Sequence, residues 1–396
     1  MRPATVWDMI APVAYGSRGF RLTGLPRRPH ATLRRFVVSG LHYRVDIDSC
    51  GRRETGQATI LQAPKSKNSC LRGIKVLVAS SVALAVLPVL LRGQTAARDA
   101  LSAFPADTQQ LAYSNLSQLR SLPDYPQLRL QLFSQQIRDF EEFLHSTGTD
   151  PDKDVDEVTL GWRGELQDPL DYFGLAWGRF APDSVHELFE QRKLPWREYN
   201  GYELYAFGSG EERRDIFFAF LSSSSAIFGR LENVQALIDT RAGTRPALES
   251  NSAFANWEGE LEGTSPQWGI ATGAAAAARV APLLGGGGKS SIDPQVLLKP
   301  VHGVLFRVDW SSGFTSHMTV VCDSTETAAA LAQFVILWRD SRQNAPANAK
   351  PSPEMMDLLQ GMRVEADGSR LELTASGPIQ LINQIFRGPA SPSNSR

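Results

Sequence analysis

From residue 101 onward the apolar positions alternate between two spacings. A spacing of two predicts half-buried strands, and a spacing of three to four predicts amphipathic helices. Strands are predicted over 110–115, 155–162, 172–177, 202–207, 216–221, 226–229, 303–310, 317–322, 362–365 and 370–374. Helices are predicted over 116–122, 128–144, 183–191, 232–240, 325–338 and 378–386. The clearest is 128–144, where Leu128, Leu132, Phe133, Ile137, Phe140 and Leu144 fall on one stripe. Asp367-Gly368 between the last two strands is a favoured hairpin turn. Grouped, these elements form four strand–strand–helix units that repeat in pattern and not in residue identity. The expected fold is therefore α+β: antiparallel sheets built of short hairpins, with helices stacked on one face.

Composition interrupts this pattern at a few points. Residues 274–278 are an alanine run and 285–288 are four glycines, so 285–291 reads as a flexible link between sub-domains 101–284 and 292–387. The tail 388–396 reads as disordered. Residues 1–70 are rich in Arg, Pro and Gly and lack a sustained period, which leaves a basic disordered leader or a mis-set start with the true one near residue 70. Between leader and body, residues 76–91 are uncharged and strongly apolar, with Arg72 and Lys75 before them and Arg92 after. The segment 74–92 is thus expected to be a single N-terminal hydrophobic helix. A spanning helix needs about 20 residues and a signal about 7–15, so a run of this length fits an anchor or an export signal. Pro88 and the small-residue pattern Thr95-Ala96-Ala97 suit cleavage after Ala97. A positive flank stays inside. The body is accordingly expected in the periplasm, held to the inner membrane by 74–92, or periplasmic or secreted after a cut near Ala97.

Charge supports the same division. The net charge is −1, but residues 1–92 carry 15 Lys+Arg against four acidic residues, leaving residues 93–396 with 26 basic and 38 acidic side chains. A body of that sign is not a nucleic-acid binder, since a phosphate backbone demands concentrated Lys and Arg. Of the cysteines, Cys50 and Cys70 precede the apolar run. Cys322 lies in an apolar strand and reads as a buried, inert thiol.

Candidate chemistry is sparse. Asp150, Asp152, Asp154 and Asp156 alternate like the first half of a calcium loop, but Pro151 interrupts them. Val155 stands where the turn needs Gly, and Gly161 stands where a bidentate Glu is needed. These carboxylates read as caps and turn formers. The glycines before Lys289 and Ser290 resemble a phosphate loop, but Leu283 occupies the place of its first Gly. His30, His42, His145, His186, His302 and His317 form no pair with metal or catalytic spacing. His317, Asp309, Ser311, Ser312 and Ser316 have the residue types of a nucleophile triad within one hairpin, which is also what a polar turn supplies. Ser222–Ser225 reads as a hairpin turn. Trp162, Tyr172, Phe173, Trp177 and Phe180 read as core. No catalytic, cofactor-binding or metal-binding residue is assigned.

Pro105-Ala106-Asp107-Thr108 and Gly148-Thr149-Asp150-Pro151-Asp152-Lys153-Asp154-Val155-Asp156 resemble segments of a family of exported bacterial proteins of unassigned function. The resemblance implies location and architecture and carries over no functional residue. The expected function is a non-enzymatic extracytoplasmic binding or assembly module of the bacterial envelope, meeting the membrane through 74–92 and an envelope protein or apolar ligand through its body. Two rivals make different structural demands. An extracytoplasmic hydrolase with a noncontiguous site requires a deep pocket of converging His and carboxylates. An apolar-ligand carrier requires a groove between sheet and helices.

Overall fold

The computed structural model describes residues 95–379 and 381, apart from 124, 133–134, 164–171, 212–214, 285–297, 311–312 and 347–349. The leader, the 74–92 segment, the 285–291 link, the 388–396 tail and most of the helix expected over 378–386 lie outside the described residues. Helix α1 (Thr95–Ala103) leads into β1 (Gln110–Asn115). Helices α2 (Leu116–Leu119), α3 (Tyr125–Leu132), α4 (Gln135–Ser146) and α5 (Pro151–Asp154) connect it to β2 (Val155–Trp162) and β3 (Tyr172–Gly178). There follow α6 (Pro182–Arg192), β4 (Trp196–Tyr199), β5 (Tyr202–Phe207), β6 (Ile216–Ser222), β7 (Ser225–Gly229), α7 (Leu231–Arg241) and α8 (Ser252–Leu261). The remainder is β8 (Gln267–Thr272), α9 (Gly273–Leu284), β9 (Val301–Asp309), β10 (Phe314–Cys322), α10 (Thr325–Gln343), α11 (Pro353–Gly361), β11 (Arg363–Asp367) and β12 (Arg370–Gly377).

The fold is α+β, and its strands form one sheet of twelve in the order β11-β12-β10-β9-β8-β1-β2-β3-β7-β6-β5-β4. Each neighbouring pair is antiparallel. The predicted hairpins are present because their alternation survives in burial: along β10 every second residue, from Phe314 to Cys322, is buried. Helix starts are capped as their sequences suggest. Ser324 accepts from the Thr327 N–H at α10, Asn251 from Ala253 at α8, and Ser352, with Pro353 behind it, from Met355 at α11.

The order reads almost the same from either end. On one side of the centre run β8, β9, β10, β12 and β11; on the other run β1, β2, β3, then β5 and β4, with the hairpin β6–β7 inserted between β3 and β5. Each half has a strand, a helical connection, a hairpin, a long helix and a second hairpin. The halves meet where β1 pairs with β8, from Gln110 opposite Ala271 to Ser114 opposite Gln267. Strands on both sides of the 285–291 link thus belong to the same sheet, with Gly269 of β8 opposite Phe306 of β9.

Helices cover both faces, which corrects the expectation of a single covered face. Successive residues of β3 point to opposite sides. Phe173 and Leu175 join Ala96, Ala97 and Ala100 of α1, Val234 and Leu237 of α7 and Phe254 of α8. Tyr172 and Ala176 face the other way, toward α4. That second face also carries α6, α9, α10 and α11. Strands β4 and β8 and helices α1, α5, α8, α9 and α11 were not expected; the alanine run read as a break is the body of α9. The helix expected over 128–144 is described as α3 and α4.

Close approach fixes the centre of the sheet. A Cβ at Gly269 would lie 2.3 Å from the Phe306 ring and 2.7 Å from the Leu111 carbonyl oxygen, whereas one at Gly259, on the exposed side of α8, would meet nothing within 4 Å. Gly269→Ala is expected to destabilise the protein by about 1–3 kcal/mol through overpacking. Gly259→Ala is expected to stabilise it by about 0.5–1 kcal/mol. Urea titration of both variants checks the contrast.

Candidate functional site

Two cavities mark where the described residues leave space. The first lies on the face covered by α4. Phe140 and Leu144 of α4 form its roof, and Val158, Leu160, Ala176 and Phe228 of the sheet its floor. Its volume is about 100 Å³, against about 150 Å³ for an engineered apolar cavity that stays dry and binds benzene. The roof is the amphipathic stripe seen in the sequence: Phe140 is buried, Phe143 and Leu144 are half-buried, and Asp139, Glu142 and His145 face out.

Polar groups are few in this lining. Glu141 lies at the edge and takes a 2.8 Å hydrogen bond from Arg129. Burial pushes the Glu141 carboxyl up, against the pull of Arg129. The same guanidinium reaches Asp152 at 3.3 Å. Tyr172, 5% exposed, also lines the cavity. Its ring meets Phe228 edge-on, with centroids 6.3 Å apart. Its hydroxyl is buried and has no hydrogen-bond partner among the described residues, a state that costs about 1–3 kcal/mol. Burial pushes the phenol up, so it stays a donor.

Beside the roof, the acidic run behaves as caps and counter-charges. Asp150 caps α5, accepting from the Asp152 N–H, and it takes Lys153 Nζ at 2.7 Å. Lys153 holds the Asp150 carboxyl below its usual range. Asp154 accepts from the Asp150 N–H at 2.8 Å. His145, Asp150 and Asp152 come close enough to share a cation, but they are not deeply buried and their carboxylates are already engaged by Lys153 and Arg129.

The second cavity, about 190 Å³, lies on the opposite face beside α8, lined by Glu260, Arg307, His317, Arg370, Glu372 and Thr374 among others. Arg370 donates two 2.8 Å hydrogen bonds to Glu260, tying β12 to α8. His317 Nδ1 lies 3.3 Å from Thr374 Oγ1. Burial and Arg307 push the imidazole down. Ser316 is buried on the other side of β10 from His317; Ser311 and Ser312 lie outside the described residues. The backbone N–H groups beneath His317 serve the ladders of β10 with β9 and β12, leaving none there to stabilise an oxyanion. The arrangement can bind a polar group.

The other singled-out residues fall apart similarly. Phe173 and Trp177 pack on the α1 side of the sheet, while Tyr172 and Phe180 border the apolar cavity. Cys322 is buried, with its thiol pushed up to about 11 by burial and by Asp323. His186 Nδ1 meets the Glu203 carboxylate at 3.0 Å. His30 and His42 lie outside the described residues, as does the phosphate-loop-like stretch at 285–290. The cavity floor was unreadable from sequence. Its one signal is a run of small residues, Gly174, Ala176 and Ala226, on strands otherwise rich in aromatics.

No protein-family model matches the chain, and no curated protein matches it. Among solved structures it is similar to two crystal forms of TP0453. Form I has 12% identity and a TM-score of 0.37, and form IV 14% and 0.39; each match covers 72% of this chain and 96% of that one. A likeness at this level says nothing about function.

The depressed His317 value has a sign that can be checked. Folded protein binds fewer protons than unfolded chain between the depressed value and about 6.5, so this contribution to stability is full above pH 6.5 and is lost as pH falls through that window. His317→Gln is expected to flatten the fall in urea midpoint between pH 7.5 and 5.5. Arg307→Gln is expected to raise the His317 value in an NMR titration.

Proposed function

We propose that the body of this protein is a non-enzymatic, apolar-ligand-binding module of the bacterial envelope, carried on the outer side of the inner membrane by the 74–92 segment. The observation that carries the reading is the cavity between α4 and the sheet, whose wall is apolar except for Glu141, Thr149 and Tyr172. Enclosed apolar cavities take up apolar solutes; this one, open along part of its edge, has the form of the groove between sheet and helix that a carrier requires. The polar cavity does gather His317, Glu260 and Glu372, but Arg370 holds Glu260 with two hydrogen bonds, and we give the hydrolase reading second place.

No helix among the described residues is long and apolar enough to cross a membrane; the anchorage we propose is through 74–92. Helix α1 supports retention of that segment over a cut after Ala97. Ala96 and Ala97 are fully buried, and the Ala96 N–H donates to Glu157 Oε2 at 2.9 Å. A chain beginning at Arg98 would lose both side chains and the N–H that Glu157 accepts. Native protein is expected to give an intact mass that includes Ala96 and Ala97; a species starting at Arg98 would sink this part.

The ligand reading is tested on the full chain taken from membranes into amphipol. Solvent extraction followed by mass spectrometry is expected to recover about one apolar molecule per chain. Ala176→Leu, which adds three carbons to the floor, is expected to lose that molecule with Tm unchanged or raised. Absence of any bound molecule from the native protein, or equal recovery from the variant, would refute the reading.

A further inference from the structure

We infer that the polar cavity between α8 and strands β9, β10 and β12 binds a small zwitterion, with its carboxylate on Arg307 and its ammonium on Glu372. This site lies on the opposite face of the sheet from the α4 cavity and does not depend on the apolar-ligand reading.

The first ground is how the strand registers set out the charges. Arg307 of β9, His317 of β10 and Thr374 of β12 stand opposite one another in one row, and Leu305, Thr319 and Glu372 form the next. Residues directly opposite in an antiparallel pair share a face, so these side chains turn together to the side of α8. There Arg370 and Glu260 are joined by two 2.8 Å hydrogen bonds and close one wall. What remains charged in the lining is one cation, Arg307, and one anion, Glu372. Neither makes a hydrogen bond or ion pair with a described residue. Arg307 acts on His317 electrostatically, and Glu372 acts on His317 and Arg370. By strand spacing and rise, positions two strands and two residues apart lie about 12 Å from Cα to Cα. A ligand whose two charges are several atoms apart bridges that interval.

The second ground is that each end of the cavity carries an opposition such a ligand relieves. At one end Arg307 disfavours the charged imidazole of His317, an effect that Asp309 on the same strand offsets only in part. At the other, Glu372 stands directly opposite Glu365 of β11, and like charges facing each other across a ladder are destabilising. A simple anion would answer Arg307 and meet Glu372. A simple cation would answer the glutamates and meet Arg307. A zwitterion answers both ends, its carboxylate in a charge-assisted pairing with the guanidinium. Between the ends, His317, Thr319 and Thr374 offer hydrogen bonds to the middle of the ligand.

The test uses the full chain in an uncharged amphipol, titrated calorimetrically with γ-aminobutyrate, butyrate and butylamine, which share a four-carbon chain. γ-Aminobutyrate is expected to bind wild type about tenfold tighter than either singly charged probe. Arg307→Gln is expected to remove its advantage over butylamine, and Glu372→Gln its advantage over butyrate. Arg307 is half-buried and Glu372 exposed, so both variants should fold with Tm little changed. A carboxylate on Arg307 is also expected to raise the His317 value in an NMR titration, because it neutralises the cation beside the ring. Glycylglycine, titrated in parallel, tells a peptide from an amino acid as the source of the two charges; tighter binding of either than of the singly charged probes supports the assignment. The inference is overturned if butyrate or butylamine binds wild type as tightly as γ-aminobutyrate, or if both advantages survive in the variants. It is equally overturned if saturating γ-aminobutyrate leaves the His317 value unmoved, or if none of the probes binds at about 10 mM. An empty α4 cavity would not bear on it.

Discussion

The pairing of β1 with β8 is the interaction on which the rest of the structure depends. It joins two halves of matching topology into one sheet, and it places both strands under cover on either side. On the α1 face, Tyr113 and Trp268 stack at 5.2 Å across the seam, both fully buried. On the α9 face, the buried Arg279 reaches back to Gln110 with a 2.7 Å hydrogen bond, so the helix after β8 is tied to the strand of the other half. Gly269 lets Phe306 lie flat against the same seam. A central strand pair buried on both faces obliges helices to come from both sides, because neither face can be left to water. The two-sided cover of this sheet follows from that seam.

The same topology is filled differently in the two halves, and the difference produces the cavity. In one half, α9 lies over the sheet through Ala275, Ala276 and Val280, all fully buried, and small side chains let its backbone come close. In the other, the corresponding connection contains α4, which meets the sheet through Phe140, Phe143 and Leu144. Large rings on the helix hold it away from a floor that narrows to Ala176 and Ala226, and the mismatch leaves empty volume. The cavity is therefore a consequence of where the bulk sits: on the strands of one half, on the helix of the other. Ion pairs from Arg129 to Glu141 and to Asp152 secure this region at its edge.

Of the five hairpins, β4–β5 was missed because Trp196–Tyr199 is almost wholly exposed; the other four were legible because strands such as β10 alternate, and alternation needs no knowledge of neighbours. Strand β8 was not, since Gln267–Thr272 is buried on both sides and shows no period. For the same reason β3, Tyr172–Gly178, disclosed a strand but not which of its residues faced which layer, and helices on two faces looked like helices on one. The alanines of α9 read as a break because the glycines after them did. The roof of the cavity was visible as the amphipathic stripe ending at Leu144. The floor was not, because Ala176 and Tyr172 matter only through what packs opposite them. Nothing local distinguishes a tyrosine whose hydroxyl is satisfied from one whose hydroxyl is not.

An empty space has an energetic consequence. At about 24 cal/mol per Å³, a fully enclosed void of this size would cost about 2 kcal/mol, an upper bound for a cavity open along part of its edge, and the Tyr172 hydroxyl, without a partner among the described residues, adds to it. Domain stability is of order 5–15 kcal/mol in total, so these losses are a sizeable fraction of it. The fold itself contains the remedy, since the other half closes the equivalent region with alanines on a helix. That this half keeps the gap is explained if the gap is filled when the protein works. A bound molecule would recover the packing, and by mass action it would stabilise the folded chain in proportion to its occupancy.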